Sequence, residues 1–180
     1  MKKSIVFVLV LCLAVLSAYA GSMGVKVQAE PYSLQSVTVT GGRYLSTYGY
    51  GVCGGLRYGF TENLSAGVDI GLDVYKYNEL QDIDSDYNVT KLRAVAGYKY
   101  EFISKLYAEA ELGVGADFRE IADSSMITFG ADAYVGMGFR ISNEFAVTAG
   151  ADVGLSFQSG KKSKSTDFSV TAKAGITAKL

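Results

Sequence analysis

The sequence predicts an all-β fold in which eight antiparallel strands form an up-and-down barrel that spans a membrane. The clearest observation is the segment FAVTAGADVGLSF at residues 145–157, where apolar residues alternate with small or polar ones. A strand with this period of two has one apolar and one polar face, and about 9–11 tilted residues cross a bilayer. The same alternation recurs in seven other segments, joined by alternately short and long connections. Such connections are typical of barrels in the bacterial outer membrane.

Residues 1–20 have the features of a cleaved secretory signal peptide. Lys2 and Lys3 give a positive start, residues 5–16 are apolar, and Ala18-Tyr19-Ala20 is a small-x-small cleavage site. We therefore expect a mature chain of residues 21–180 that forms one barrel domain.

The first four predicted strands cover residues 23–30, 48–60, 64–74 and 92–102. The first has the weakest pattern, in which Val25 and Val27 alternate with Lys26 and Gln28. Pro31 is the only proline, and we expect it just beyond the end of this strand. In the other three, aliphatic and aromatic residues alternate with glycine and charged residues.

The last four predicted strands cover residues 106–119, 127–139, 145–157 and 168–180. The fifth carries Glu109 and Glu111 on its polar face, and the sixth carries three glycines and Asp132 there. The seventh carries Asp152 and the eighth Lys173, each among small polar residues. Helical spacing of apolar residues fits none of these segments.

Connection lengths predict the orientation of the barrel. The short connections are residues 61–63, 103–105 and 140–144, and the long ones are 31–47, 76–88, 120–126 and 158–167. Outer-membrane barrels have short periplasmic turns and longer extracellular loops. We therefore expect extracellular loops and two periplasmic termini in the bacterial outer membrane.

The apolar face is predicted to contact lipid, because the middle of the polar face is rich in charged residues and glycine. Aromatic residues also lie near both ends of the apolar face, as expected at two membrane interfaces. They are Tyr58, Phe60, Tyr100, Phe102, Phe139 and Phe145 at the turn side, and Tyr48, Phe118, Phe129, Phe157 and Phe168 at the loop side. A soluble barrel with an apolar lumen is the alternative.

The charged residues of the polar face are predicted to form a network inside the barrel. The acidic members are Asp69, Asp73, Glu109, Glu111, Asp117, Asp132 and Asp152, and the basic members are Arg57, Lys91, Arg93, Lys99, Arg119 and Lys173. Eight strands enclose a space that side chains just fill, so nearly balanced charges are expected to pair and plug the lumen. A narrow conducting path is the second interpretation.

Two connections contain candidate surface residues. Asp82, Asp84 and Asp86 have the spacing of a calcium loop, but Tyr87 and Arg93 stand where glycine and glutamate are needed, which favours a solvated acidic loop.

A second candidate surface is a basic loop tip formed by Lys161, Lys162 and Lys164. Contact with lipopolysaccharide phosphates or an acidic host surface is one interpretation, and a solvated tip is the other. Tyr44 is one of the tyrosines near the loop bases, and Tyr32, Tyr77 and Tyr87 are the others. They are expected to extend the aromatic belt or to present a protein-binding surface.

The composition argues against several classes of function. The chain has no histidine, which removes the commonest general base and the histidine ligands of haem and zinc sites. We therefore predict no enzymatic activity, no cofactor and no metal. Loss of Lys2 and Lys3 leaves 15 basic against 18 acidic residues, so no nucleic-acid partner is indicated. Cys53 is the one cysteine beyond the signal peptide and is expected to be an inert thiol.

With these eight segments, the chain resembles the small eight-stranded outer-membrane barrels of the OmpX, Opa and OmpA transmembrane-domain type. The last strand of that family usually ends in an aromatic residue, whereas this chain ends in Leu180. The resemblance implies insertion by the barrel assembly machinery and contact with outer-membrane lipid and lipopolysaccharide. We expect a monomer with a structural or adhesin-like role, in which the loops bind a host or cell-surface ligand. The alternative is a narrow porin or channel for small solutes.

Overall fold

Eight antiparallel strands form a closed barrel in the computed structural model, which describes residues 22–39, 43–77, 87–121, 124–159 and 164–180. The strands are β1 (Ser22–Val39), β2 (Arg43–Gly59), β3 (Leu64–Tyr77), β4 (Tyr87–Ile103), β5 (Leu106–Ile121), β6 (Ser124–Arg140), β7 (Phe145–Ser159) and β8 (Lys164–Lys179). Each pairs with the next along the chain, and β1 pairs with β8 to close the barrel. The predicted fold class is confirmed. Among these described residues, no helix has the length and apolar character needed to cross a membrane.

The turns at one end of the barrel are stabilised by similar hydrogen bonds. Between β2 and β3, the Phe60 N–H donates to the Leu64 carbonyl at 2.9 Å, and the Leu64 N–H donates to Thr61 Oγ1 at 2.9 Å. Between β6 and β7, the Phe145 N–H donates to Ser142 Oγ at 3.1 Å. We call this end, with turns at residues 60–63, 104–105 and 141–144, the turn end, and the opposite end the loop end.

The two ends of the described chain meet at the turn end. The Leu180 N–H donates to the Met23 carbonyl at 2.8 Å, and Gly24 pairs with Lys179 in the β1–β8 ladder. The signal-peptide prediction falls on residues that lie outside the described part of the chain.

The prediction that the first strand ends before Pro31 is wrong. Strand β1 continues to Val39, and Pro31 lies in a β-bulge where the register shifts between Glu30 and Ser33. A bulge interrupts the ladder, so a residue without an N–H is tolerated there. The bulge also reverses the phase, because even-numbered side chains such as Glu30 point inward before it and odd-numbered ones such as Gln35 after it. This change of phase hid the second half of β1 from the sequence pattern.

The other long connections are also shorter than predicted. Strand β5 ends at Ile121 and β6 begins at Ser124, so residues 122–123 replace the predicted connection at 120–126. Similarly, β7 ends at Ser159 and β8 begins at Lys164. These strand ends are rich in serine, threonine and charged residues, so they carry no apolar alternation from which a strand could be predicted.

The outward face of the barrel is apolar and exposed. Leu112 is 68% exposed and Val135 65%, in the middle of β5 and β6. Ten of the eleven predicted girdle aromatics are exposed, and the exception is Tyr58, whose ring makes an edge-to-face contact with Phe60 at 5.0 Å between centroids. The exposed apolar surface therefore forms a band around the wall, as a lipid-facing barrel requires.

Candidate functional site: the charged lumen

The thirteen residues predicted to form a charge network lie on inward-facing positions of β2 to β8. Twelve of them take part in ion pairs in the described structure, and Lys99 is the exception. The pairs form three groups, from the turn end to the loop end, and one separate pair.

The group nearest the turn end is built around Arg57 and Glu111. Arg57 donates to both oxygens of Glu111, with Nε and Nη2 each at 3.0 Å, and Nη2 also donates to Asp69 at 2.8 Å. Lys26 Nζ lies 2.8 Å from Glu109 Oε1 and 3.1 Å from Glu111 Oε2. Two cations and three carboxylates from β1, β2, β3 and β5 thus meet across the lumen.

The middle group joins β1, β7 and β8, and a separate pair joins β3 and β4. Lys173 Nζ lies 3.1 Å from Glu30 Oε1 and 3.1 Å from Asp152 Oδ2. Lys91 Nζ lies 2.6 Å from Asp73 Oδ2. Glu30 is 1% exposed and Asp73 2%, so these charges are removed from bulk water and depend on their partners.

The group nearest the loop end alternates arginine and aspartate. Arg93 pairs with Asp132 through Nε and with Asp117 at 2.6 Å, and Arg119 lies 3.8 Å from Asp117 and pairs with Asp167. The chain of contacts joins β4, β5, β6 and β8. Arginine suits this role because its planar guanidinium can contact two carboxylates at once.

Three buried ion-paired residues were missing from the predicted network. Lys26 and Glu30 lie on the polar face of the predicted first strand, so that alternation was the signal that could have identified them. Asp167 was assigned to a loop, but it lies in β8 and is 2% exposed. The seven predicted acids thus become nine, and the six predicted bases become seven.

Glycine leaves the space that these ion pairs occupy. A Cβ added at Gly55 would overlap the Asp69 carboxylate, and one added at Gly130 would overlap the Arg93 guanidinium. The glycine-rich polar face is therefore needed for large charged side chains to fit inside eight strands.

An aromatic stack lies inside the barrel near the loop end. The rings of Tyr75 and Tyr87 are 5.2 Å apart and tilted by 17°, and Ser33 Oγ lies 3.1 Å from the Tyr75 hydroxyl. Tyr87 was predicted at a loop base, on an outer belt or a binding surface, and that prediction is wrong because its side chain is 3% exposed and packs inward. Tyr32, by contrast, is 52% exposed.

The middle of the lumen is nearly filled. A cavity of about 30 Å³ lies beside Glu30, Cys53, Lys91 and Arg93, which is room for about one water molecule. Cys53 is a free cysteine and only 8% exposed. Within the described residues, no cluster of three or more acidic or cysteine side chains is arranged to hold a metal ion.

Five of the seven candidate surface residues fall outside the described part of the chain. Asp82, Asp84, Asp86, Lys161 and Lys162 lie outside the described residues. Tyr44 and Lys164 lie in β2 and β8, where the backbone is described but their side chains are not.

Three solved structures share the fold of this chain. Neisserial surface protein A is 15% identical, covers 88% of this chain and 97% of its own, and has a TM-score of 0.66. OprG from Pseudomonas aeruginosa is 11% identical, with coverages of 89% and 96% and a TM-score of 0.56. The outer membrane protease OmpT from Escherichia coli is 7% identical, with coverages of 92% and 100% and a TM-score of 0.53. No curated protein sequence matches the chain.

A family model covers most of the sequence. The model of the outer membrane protein beta-barrel domain matches residues 5–173. This match agrees with the closed eight-stranded barrel and its exposed apolar wall, and it implies the bacterial outer membrane as the location. The chain therefore belongs to the outer membrane protein beta-barrel domain family.

Proposed function

We propose that this chain is a structural or surface-interaction protein, whose closed barrel holds its extracellular loops in place for binding. The filled lumen carries the proposal: three groups of ion pairs and a tyrosine stack occupy it, and the central cavity holds about 30 Å³. A barrel that passes solutes needs a continuous aqueous path. A barrel that presents loops needs only a rigid wall.

The energetics of the ion pairs favour a closed lumen. Removing one partner from a buried pair leaves an uncompensated charge and costs about 3–5 kcal/mol. A solute that passes Arg57 and Glu111 would have to break the two parallel hydrogen bonds between them. A solute that passes Arg93 would have to move its guanidinium away from Asp117 and Asp132. Thermal opening of all three groups together is therefore expected to be rare.

The proposed orientation has the turn end in the periplasm and the loop end outside the cell. It is supported by the short turns and by the two ends of the described chain, which meet at the turn end, the usual arrangement of even-stranded barrels. We test it in a Cys53→Ser background with a membrane-impermeant maleimide on intact cells. Lys162→Cys, in the connection between β7 and β8, should be labelled, and Asn63→Cys at the turn end should be labelled only after lysis. The reverse pattern would contradict the orientation.

The proposed partners are outer-membrane lipid, lipopolysaccharide and a host or cell-surface ligand, with the barrel assembly machinery acting during insertion. The basic tip at Lys161, Lys162 and Lys164 supports an anionic partner. Cells that display the protein should bind to heparin-coated or host-cell surfaces more than cells with an empty vector. A triple lysine-to-glutamine variant should lose this gain, and Lys105→Gln at the turn end is the matched control. Equal binding by all strains would contradict a surface-interaction role at this tip.

A narrow channel for small solutes is the second candidate, and the lumenal charges favour it for cations. Each lumenal carboxylate has an ion-pair partner, but the described lumen contains nine acids against seven bases and therefore carries a net negative charge. If any path opens, it should therefore pass cations in preference to anions. A reversal potential measured under a potassium chloride gradient tests this selectivity.

We do not propose catalysis, although the protease OmpT shares the fold. The absence of histidine supports this view, because a general base of ordinary pKa near neutrality is missing. Incubation of the folded protein with a mixed peptide library, followed by mass spectrometry, should give no cleavage. Peptide cleavage by the folded protein that an unfolded sample does not show would contradict the proposed absence of catalysis. The proposal also includes no nucleic-acid partner and a monomeric state, which sedimentation in detergent can check.

A further inference from the structure

A large cavity opens at the turn end of the lumen, below the Arg57–Glu111 group. Its volume is about 660 Å³, and its wall includes Arg57, Lys99, Tyr107 and Arg140. This volume lies in the range of pockets that hold small molecules. The lumen is thus filled in the middle and open at the turn end.

Lys99 is the unusual cation of this cavity. Among the described residues its ammonium forms neither an ion pair nor a hydrogen bond, unlike the other lumenal lysines Lys26, Lys91 and Lys173. Its Nζ lies 5.2 Å from the centroid of the Tyr107 ring, in a cation–π contact. An ammonium that lines a cavity and keeps its hydrogen-bond donors free can bind an anion.

Arg140 brings a second positive charge to the same tyrosine. Its Cζ lies 5.6 Å from the centroid of the Tyr107 ring. The guanidinium is fixed by Glu101 and by the Ser104 carbonyl, which accepts from Nη1 at 3.2 Å. Lys99 and Arg140 are therefore both held against one buried ring.

The carboxylates of the cavity lie mainly at its rim. Glu62 and Glu144 are exposed residues of the turns, and Glu101 forms an ion pair with Arg140. At the inner end, Arg57 contributes a further guanidinium. Arg57 is neutralised by Asp69 and Glu111, and Glu109, the cross-strand neighbour of Lys99, pairs with Lys26. Lys99 is therefore the cation of the inner wall that no ion pair among the described residues neutralises.

We propose that the turn-end cavity binds a small soluble anion, whose carboxylate or phosphate oxygens accept hydrogen bonds from Lys99, with Arg140 as the second positive charge. This site is independent of the role proposed for the loops and of whether the lumen conducts. Its place inside the barrel mouth favours a soluble ligand over a lipid headgroup, because lipid surrounds the outer wall.

The test is a titration of the folded, isotope-labelled protein with inorganic phosphate in uncharged maltoside micelles, followed by NMR. Sodium chloride at equal ionic strength controls for screening. In the wild type, the amide signals of Lys99, Tyr107 and Arg140 should shift together and saturate. Lys99→Gln should raise the apparent Kd about tenfold or more, the effect expected for loss of one charge-assisted hydrogen bond. Lys99→Arg should retain binding.

Lys105→Gln is the matched control, since Lys105 is an exposed turn residue at the same end but outside the cavity wall. Its apparent Kd should equal that of the wild type. Wild-type shifts confined to surface residues, absence of saturation, or equal affinity in a folded Lys99→Gln variant would overturn the proposal. If Lys99→Gln does not fold, saturable shifts of the Lys99, Tyr107 and Arg140 amides in the wild type support the proposal, and their absence overturns it. Amide shifts with phosphatidylglycerol bicelles but not with inorganic phosphate would overturn the inference that the ligand is soluble.

Discussion

Arg57 of β2 and Glu111 of β5 are joined by two parallel hydrogen bonds, each 3.0 Å long, although their strands are not neighbours in the barrel. The pair therefore crosses the lumen and links two walls that the backbone ladder does not join directly. Glu111 also accepts from Lys26, so one carboxylate connects three strands. This cross-lumen link is the basis of the closed-barrel proposal.

Glu111→Ala should strongly destabilise the barrel. The substitution leaves Arg57 with Asp69 alone and should cost about 3–5 kcal/mol, as for other broken buried pairs. Urea unfolding in detergent, followed by the gel mobility of unheated samples, measures the change. Glu62→Ala at an exposed turn is the control and should stay within about 0.5 kcal/mol of the wild type. Equal unfolding midpoints for Glu111→Ala and the wild type would show that the link carries no stability.

Gly55→Ala and Gly54→Ala should differ sharply although the residues are adjacent. A Cβ at Gly55 would overlap the Asp69 carboxylate and lie 2.7 Å from the Val68 carbonyl oxygen, whereas a Cβ at Gly54 would meet no atom within 4 Å. We expect Gly55→Ala to lower the free energy of unfolding by about 1–3 kcal/mol, as overpacking does. Gly54→Ala should leave it nearly unchanged. Similar effects at both positions in the same unfolding assay would contradict the close packing of Gly55 against the Asp69 carboxylate.

Much of the fold can be predicted from the alternation alone, because a wall between lipid and a polar lumen imposes a period of two on every strand. The pattern fails where that environment ends or the phase changes. Pro31 marks a bulge that shifts the phase, and the loop ends of β5 to β8, rich in serine, threonine and charged residues, lie beyond the apolar band. Strand number and order were therefore predictable, but strand ends at the loop end were not.

The lumenal residues were predictable as a set but not as pairs. Alternation assigns Arg93 and Asp132 to the interior, but only the register brings them into contact. Asp167 and Tyr87 were missed for a common reason: each lies at the loop end of its strand, where polar residues surround it and no apolar alternation marks the inward face.

A double-substitution experiment tests the interior position of Asp167. Arg119→Met and Asp167→Leu should each destabilise the barrel, because each leaves the other charge buried with fewer partners. The double variant should be more stable than the sum of the single effects, with a coupling of about 0.5–3 kcal/mol. The free energies of unfolding of the four proteins give the coupling. A value of zero would mean that Asp167 is solvated, as a loop residue would be.

Leu112→Arg tests the lipid-facing wall. Leu112 is 68% exposed in the middle of β5, and arginine near the bilayer midplane costs about 2–4 kcal/mol in such barrels. Ile141→Arg is the control, because Ile141 is 63% exposed but lies on a turn outside the apolar band. Unfolding from lipid vesicles should show the loss for Leu112→Arg only. Equal tolerance at both positions would favour a soluble barrel.

Single-channel recording of the refolded protein in planar bilayers tests the closed lumen most directly. The ion pairs around Arg57, Lys173 and Arg93 and the 30 Å³ central cavity predict no conductance steps above those of protein-free bilayers. A variant that combines Arg57→Gly with Arg93→Gly removes two of the cross-lumen guanidiniums and, if it folds, should produce steps that the wild type lacks. Regular steps from the wild-type protein would contradict the closed lumen and favour the channel.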